Sequence, residues 1–560
     1  MPPTPRERRK PPRGAGRARQ ARWSAGGRLW VFVALGIILL VSLIRAKHLG
    51  FPLERDEGEF GYIAQQLLRG VPVYDSAYTQ KLPGTYFMYA LFLALFGQST
   101  SGIHFGLLLT NAVIMGLIFL VLRKTHNGLA GCVGALVFGV MALSPKAVGF
   151  AAHATFFVTL FAVAGLYAFL SARERNRAAL FFVSGFCFGL AFLMKQSGIF
   201  FAPFAMAFLA LDHLRRKPRE PARLALVELA LVGGALTPIA LTAAYYASIG
   251  KLSLFWFWAF RLAGEFAGQV GPAAALKNLH DRIKDVTIGF GLLWALGLVG
   301  FVWTLLDAKL GKDRSLYPTF AVACVLSVVP GFFFTNHYFV PVLAAIALLI
   351  GALAGRVNRD EGQSGPRLAA VGVWVLIGLG LVIGIGRFGG YYFGQTPDSE
   401  TSHLVYGANP FPETVPIGDY LRNHTMPQDR IAMLGSETQI LFYAQRGSAS
   451  RFVNAYFLTA NHPRNREMQG EMIRDIERER PKYIVFARFP MSWSMLKSSP
   501  RDLLNWFAKY GREHYELEGV LLMGKSGYVL KWGADARSQA ITSDNVEILR
   551  RLDSSNVPSF

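Results

Sequence analysis

Charge is scarce in this chain. Only 17% of its 560 residues are Asp, Glu, Lys or Arg, while 52% are hydrophobic, and the mean hydropathy is +0.31. Soluble globular domains carry about 25% charge, so a single soluble body is excluded. Acid is scarcer than base, 36 residues against 58, for a net charge of +22. That excess does not read as nucleic-acid binding, because the basic residues sit in short clusters between greasy runs, the pattern that sets membrane orientation. Cysteine is rarer still: Cys132, Cys187 and Cys324 all fall inside apolar runs, which excludes a disulfide framework or a zinc spacing. No glycine fingerprint of a nucleotide site follows a strand pattern.

What is present is a series of apolar runs close to 20 residues, enough to cross a hydrocarbon core of about 30 Å. They fall near residues 29–44, 102–122, 128–144, 154–171, 178–194, 198–211, 224–248, 286–306, 316–335, 338–355 and 368–387. The expected fold is an α-helical polytopic membrane protein of about eleven transmembrane helices. The run at 84–97 is too short to cross and reads as a half-inserted or juxtamembrane helix. Nine cations precede the first run, from Arg6 to Arg28, so the N-terminus is expected in the cytoplasm. The basic connections RKTHNG, ARERNR, DHLRRKPREPARL, DAKLGKDR and GRVNRDEGQSGPR then fall on that same side.

Four segments are expected: a disordered basic cytoplasmic tail over 1–28, a membrane domain over 29–390, a first external loop over 48–101 inside it, and a soluble extracytoplasmic α/β domain over 391–560. In the last, RIAMLG and KYIVFA read as strands, and HYELEGVLLMG with GYVLKW as a closing hairpin. The expected location is the cell inner (plasma) membrane.

The first loop carries four carboxylates in six residues, Glu54, Asp56, Glu57 and Glu59. Asp56 reads as the N-cap of a helix with Glu59 as its capping-box partner. Phe60, Ile63, Ala64, Leu67 and Leu68 follow at helical spacing and predict an apolar stripe lying on the membrane surface. Capping does not account for Glu54 and Glu57, since like charges this close raise one another's pKa and call for a cation or ligand. Lys81 comes just before the Pro83–Gly84 turn.

Other polar residues meet the same outer boundary: His153, Lys195 with Gln196, Arg261 with Glu265, His280 with Asp281, and His337 with Tyr338. Each ionisable group at membrane depth costs about 2.5–3.5 kcal/mol on insertion scales. Several at one depth predict a shared cavity that opens outward. Such a cavity suits a substrate that is part lipid, part anion and part polar, and a polyprenyl-phosphate sugar has all three. In that scheme Asp56 is the general base, poised near neutral pH by its acidic neighbours, and Glu57 sits beside it. Lys81, with Lys195 or Arg261, holds the departing phosphate, and His153, Gln196, His337 and Tyr338 complete the binding set. A single displacement inverts the anomeric carbon.

The segment ERDEGEFGYIAQQLLRGVPVYDSAYTQKLPGTYFMYALFLALFG resembles the first external loop of the GT-C superfamily of membrane glycosyltransferases, which includes the protein O-mannosyltransferases of glycosyltransferase family 39 and the lipid A aminoarabinose transferases. Asp56–Glu57 match the family's acidic pair, and Lys81 and Pro83 match its Lys-Pro-Pro turn, with Leu82 in place of the first proline. MKQSG, FWFWAF and NHYFVPVLAAIALLIG are further echoes, so the likeness runs over residues 29–390. It implies a GT-C-like fold, a polyprenyl-phosphate donor, a lipid, glycan or protein acceptor, and Asp56 as the catalytic carboxylate. Some branches use a divalent metal, Mg²⁺ or Mn²⁺; no metal ligand is assigned here. The competing readings are a transporter or flippase of a lipid-linked anion, which should show paired halves with broken helices at the midplane, and a non-catalytic envelope assembly protein.

Overall fold

The computed structural model describes residues 25–215, 220–266, 270–357, 367–394, 396–524, 527–539 and 544–552. The basic tail lies almost wholly outside the described residues, as does most of the GRVNRDEGQSGPR connection.

Among the described residues, seven helices are long and apolar enough to cross a bilayer: Gly27–Ala46, Thr100–Thr125, Ala154–Arg175, Gln196–Leu214, Pro221–Ser248, Asn336–Val357 and Ala370–Phe393. Pro272–Thr287 and Gly291–Leu306, set at 106° to each other, make an eighth if they are one span. Three of the expected runs form shorter apolar helices, Gly128–Ala142, Ala178–Met194 and Leu316–Leu326. The Gly84–Phe96 helix has 13 residues, about 20 Å of length.

The central post is Asn336–Val357, buried at every position from Val340 to Gly355. Small residues let its neighbours close up. A Cβ at Gly185 would lie 1.9 Å from the Leu231 carbonyl oxygen, and one at Gly234 2.0 Å from that of Phe182. Ala178–Met194 and Pro221–Ser248 therefore cross backbone to backbone, as small residues permit in membranes.

The acidic stretch opens the Arg55–Leu68 helix, but the cap differs from the expected one. Glu54 is the N-cap, its carboxylate accepting from the Glu57 amide at 2.9 Å. This shift of two positions places Asp56 inside the first turn, where its side chain is free to project. Nor does the helix lie on a membrane surface. Phe60, Ile63 and Ala64 are buried, because Gly84–Phe96 packs on one side and the Gln439–Ala444 helix of the C-terminal region on the other. Two glycines permit this: a Cβ at Gly58 would meet the Gln439 nitrogen at 2.4 Å, and one at Gly61 the Phe442 ring at 2.8 Å. Only the end of the predicted stripe stays out of the core, with Leu68 exposed.

The C-terminal region holds a six-stranded mixed sheet: β1 (Arg430–Leu434), β2 (Gly447–Ser448), β3 (Tyr483–Ala487), β4 (Tyr515–Gly524), β5 (Gly527–Trp532) and β6 (Asn545–Arg551), in the order β2-β1-β3-β6-β4-β5. β1 runs parallel to β2 and β3, and the other pairings are antiparallel. β3 is buried along its whole length, as a near-continuous hydrophobic strand covered on both faces must be. The expected hairpin is β4–β5, paired from Gly519↔Trp532 to Gly524↔Gly527. Two polar contacts tie this region to the first loop: Arg55 Nε pairs with Glu437 Oε1 at 2.7 Å, and His48 Nδ1 lies 2.6 Å from Asp398 Oδ1.

Candidate active site

Lys81 sits between two acids of the first-loop helix. Its Nζ is 2.9 Å from Asp56 Oδ1 and 3.2 Å from Glu59 Oε1, and it lies 4.4 Å from the Phe60 ring centroid. Asp56 and Glu59 are three residues apart and so share a helix face, which lets one ammonium bridge both. Glu59 is buried and accepts from the Thr79 hydroxyl at 3.0 Å and the Tyr86 hydroxyl at 2.8 Å. The loop carrying Lys81 is pinned by Tyr74, which donates to the Lys81 carbonyl at 3.0 Å, and by Gln196 Nε2, which donates to the Gln80 carbonyl at 2.7 Å.

Opposite this pair, His153 at the head of Ala154–Arg175 stacks on His337 at the head of Asn336–Val357, with ring centroids 3.8 Å apart and planes 6° from parallel. Lys195 Nζ lies 3.1 Å from the Tyr338 ring centroid, in cation–π reach. Arg45, buried near the end of the first span, donates to Gly149 O, Ala142 O and Asn111 Oδ1, and so holds the bend that leads into His153. Together Asp56, Lys81, His153, Lys195, Gln196, His337 and Tyr338 line one cavity of ≈ 260 Å³. Phe60, Met194, Pro330 and Phe333 supply apolar wall, the mixture a small-molecule site needs.

Several expected members stand elsewhere. Arg261 has its guanidinium turned outward, 62% exposed and 3.9 Å from Glu265. The π-helical stretch Phe257–Leu262 rotates it off the cavity, and Ala263 takes that wall. Glu57 is fully buried beneath the site. Its Oε1 accepts from the Ala152 amide at 2.6 Å and faces His104 Nε2 at 3.0 Å, so it braces the segment before His153 and does not face a substrate. His280 and Asp281 lie on Pro272–Thr287, where Asp281 pairs with Lys277 at 2.6 Å.

The electrostatics also revise the expected base. Burial works against the Asp56 carboxylate, but Lys81, with His153 and Lys195 behind it, outweighs burial and holds its pKa at about 2. Asp56 is thus fully ionised at neutral pH, because its nearest charge is a cation and not its acidic neighbours. The raised carboxyl is Glu54, pushed well above the usual range by burial and by the charges of Asp56 and Glu57. Burial also works against the Lys81 ammonium, yet Asp56 and Glu59 lift its pKa. Lys195 is depressed by burial to about 7, so an incoming anion would recharge it.

Three cavity residues have metal-ligand geometry that the sequence alone did not group. One donor atom each from Asp56, His153 and His337 lies within 4.8 Å of the others. Two imidazoles and a carboxylate suit Zn²⁺ or Mn²⁺, whereas Mg²⁺ prefers an all-oxygen octahedron. Sequence reading also passed over Gln80, which lines the cavity with an amide oxygen lacking a partner among the described residues. Glu59, expected as a capping-box partner, instead holds Lys81. The only early signal for it was its three-residue spacing from Asp56.

Comparison with known proteins bears on the same architecture. Residues 80–237 match the family model described as dolichyl-phosphate-mannose-protein mannosyltransferase. An undecaprenyl phosphate-alpha-4-amino-4-deoxy-L-arabinose arabinosyl transferase 2 from Pseudomonas fluorescens (strain Pf0-1) is 27% identical over 367 residues, which is 62% of this chain and 64% of that relative, so the match stops short of two thirds of its length. Among solved structures, ArnT from Cupriavidus metallidurans in the apo state superposes with a TM-score of 0.57 at 13% identity, covering 94% of this chain and 98% of that one. The archaeal oligosaccharyltransferase AglB from Archaeoglobus fulgidus, in complex with an inhibitory peptide and a dolichol-phosphate, gives 0.53 at 13% identity, covering 93% and 76%. At such identity the structures speak for the fold, that of a multi-pass membrane protein with a C-terminal mixed sheet. In sequence, then, part of the chain is similar to a mannosyltransferase family and to an arabinosyl transferase, and in fold the chain is similar to ArnT and AglB.

Proposed function

We propose that the chain transfers a sugar from a polyprenyl-phosphate donor to a lipid, glycan or protein acceptor at the outer face of the inner membrane, with inversion. The observation that carries this reading is the Asp56–Lys81–Glu59 arrangement in a cavity whose far wall holds Lys195 and the His153–His337 stack. In support, the ArnT structure has also been solved bound to undecaprenyl phosphate, and AglB holds a dolichol-phosphate.

The chemistry follows from charge. At rest Lys81 is shared by two carboxylates. A donor phosphate competes for that ammonium, and Lys195 gains its proton as the anion arrives. As Lys81 turns to the phosphate, Asp56 loses its strongest partner and its basicity rises, so the substrate itself prepares the base. An acceptor oxygen attacks the anomeric carbon, the carbon–phosphate-oxygen bond breaks with its electron pair going to the phosphate, and the acceptor proton passes to Asp56. Lys81 and Lys195 hold the charge that develops on the leaving group. Glu59 stays behind as an acid that keeps Lys81 aimed. A divalent cation on Asp56, His153 and His337 would supply further charge stabilisation at the phosphate.

The test is native mass spectrometry of the purified protein with undecaprenyl phosphate, alongside envelope glycan analysis of cells that carry each variant. Lys81→Ala should lose the lipid, and Asp56→Asn should keep it while the glycan product disappears. Normal product from Asp56→Asn would overturn the base, and unchanged lipid binding by Lys81→Ala would overturn the phosphate site. For orientation, a cysteine at Ser399 in a Cys187→Ala background should react with an impermeant thiol reagent in intact cells, since the other native cysteines, Cys132 and Cys324, are buried. Labelling only after lysis would reverse the topology.

A further inference from the structure

The Arg55–Leu68 helix has a second lined face. Away from the cavity, it meets β2 and the Asn465–Glu479 helix across a polar cleft of ≈ 420 Å³, within the range of about 300–1,000 Å³ usual for small-molecule sites. Gln66 forms part of its floor. It is only 7% exposed, and its amide Nε2 has no partner among the described residues. A buried donor left without an acceptor destabilises the fold, and a bound ligand that accepted from it would remove that cost.

The rest of the lining narrows the chemistry. Arg69 has no carboxylate partner among the described residues, and its guanidinium donates to the Gln445 carbonyl at 2.9 Å. Arg430 and Arg478 are each shared with an acid, Glu479 at 3.4 Å and Asp475 at 2.7 Å. Asp475 also accepts from Ser450 Oγ at 2.9 Å. Donors and acceptors thus both line the cleft, as the hydroxyls of a sugar require. Arg451 is held by Glu471 at 3.1 Å, so among the described residues Arg69 is the lining cation left without an acid, which matches a single anionic group.

The cleft and the cavity are joined by one piece of chain. Asp75 and Ser76 line the cleft, while Gln80 and Lys81 line the cavity. Between them Tyr78 is stacked on Trp258 with centroids 4.2 Å apart, and Arg451 covers it at 4.5 Å. Gln66 is ten residues beyond Asp56 on the helix, about 15 Å along its axis.

We propose that this cleft binds a saccharide bearing one anionic group, and that it holds the glycan part of the acceptor while the reactive end reaches the Asp56 cavity. The acceptor assignment rests on the transfer reading above; the binding itself does not.

The test is isothermal calorimetry on the full chain in lipid nanodiscs at low salt, with trehalose 6-phosphate, trehalose and inorganic phosphate as probes. The phosphodisaccharide should bind at least about tenfold tighter than either fragment, and Gln66→Leu and Arg69→Ala should each weaken it about tenfold, the loss expected for one hydrogen bond or charge contact. Gln66→Leu removes an unpaired polar group and Arg69 is exposed, so both variants should keep their melting temperature. Asp56→Asn should bind with unchanged affinity. Phosphate alone binding as tightly as the phosphodisaccharide would reduce the cleft to an anion patch and overturn the proposal, as would no saturable binding or full affinity in both cleft variants. If the cleft binds while cells with and without the protein carry the same envelope glycans, the transfer reading falls and the site stands.

Discussion

His153 and His337, 184 positions apart, lie flat against each other with ring centroids separated by 3.8 Å. Each opens a helix that crosses the bundle, and Asp56 reaches the same point from the external loop. Stacked imidazoles repel once both are protonated. As neutral rings beside a carboxylate they make a donor set for a borderline divalent cation. Zn²⁺ or Mn²⁺ at 100 times its dissociation constant should therefore raise stability by about 2.7 kcal/mol. His337→Ala should abolish the shift in melting temperature and the metal retained on gel filtration. An equal shift in that variant would place the metal elsewhere.

The Asp56–Lys81 pair has a pH signature. Asp56 titrates at about 2 in the folded chain against 3.8 as the ordinary value, so its folded pKa is depressed. Its contribution to stability is present above pH 3.8 and lost as pH falls through 2. In Lys81→Met the strongest partner is gone, and burial, which favours the protonated acid, is opposed only by His153 and Lys195. The melting-temperature gap between wild type and Lys81→Met should be widest above about pH 5 and narrow steadily toward about pH 2–3. A gap independent of pH would dismiss the ion pair as an energetic unit.

Glu59 is a positioning residue, acting through Lys81. Glu59→Gln keeps the shape and the contacts to Thr79 and Tyr86 but removes the second charge on the ammonium. A hydrogen bond to a charged group is worth about 1.5–3 kcal/mol, so kcat/KM for the lipid donor should drop by about 10- to 100-fold. The alkaline limb of the pH–rate profile should move to lower pH as Lys81 loses its support. A purely structural role would lower the melting temperature and leave that limb in place.

Gly58 is the seat of the C-terminal region on the first loop. A Cβ there would sit 2.4 Å from the Gln439 backbone nitrogen, whereas one at Gly36 meets nothing within 4 Å. Gly58→Val should destabilise by about 1–3 kcal/mol, the usual toll of overpacking, and expose the 430–551 sheet to limited proteolysis. Gly36→Val, on the first span, should do neither. Equal protease resistance in both would mean that the glycine is not what lets the two regions meet.

Much of the architecture was legible because its signals are local. Apolar runs, basic clusters and the Lys-turn after an acidic stretch can be read over 20 residues at a time, and so could the β4–β5 hairpin. The first-loop helix was legible as a helix, but its cap was displaced from Asp56 to Glu54, and its stripe met protein where lipid was expected. No local pattern reveals that Gly58 and Gly61 are docking points, since what they admit lies some 380 positions later in the chain.

Sequence by itself determined that this chain crosses a membrane many times and exposes a charged, substrate-sized set of residues at one boundary, because polarity and periodicity are properties of neighbouring residues. Tertiary structure alone decided how the acids divide the work. A helix turns 100° per residue, so Asp56 meets Lys81 while Glu57 turns under toward His104 and Ala152. It also decided that Arg261 points away, that two distant histidines touch, and that Asp56 stays charged at neutral pH. Those outcomes depend on distances of a few ångströms between residues that packing, and not proximity in the chain, brings together.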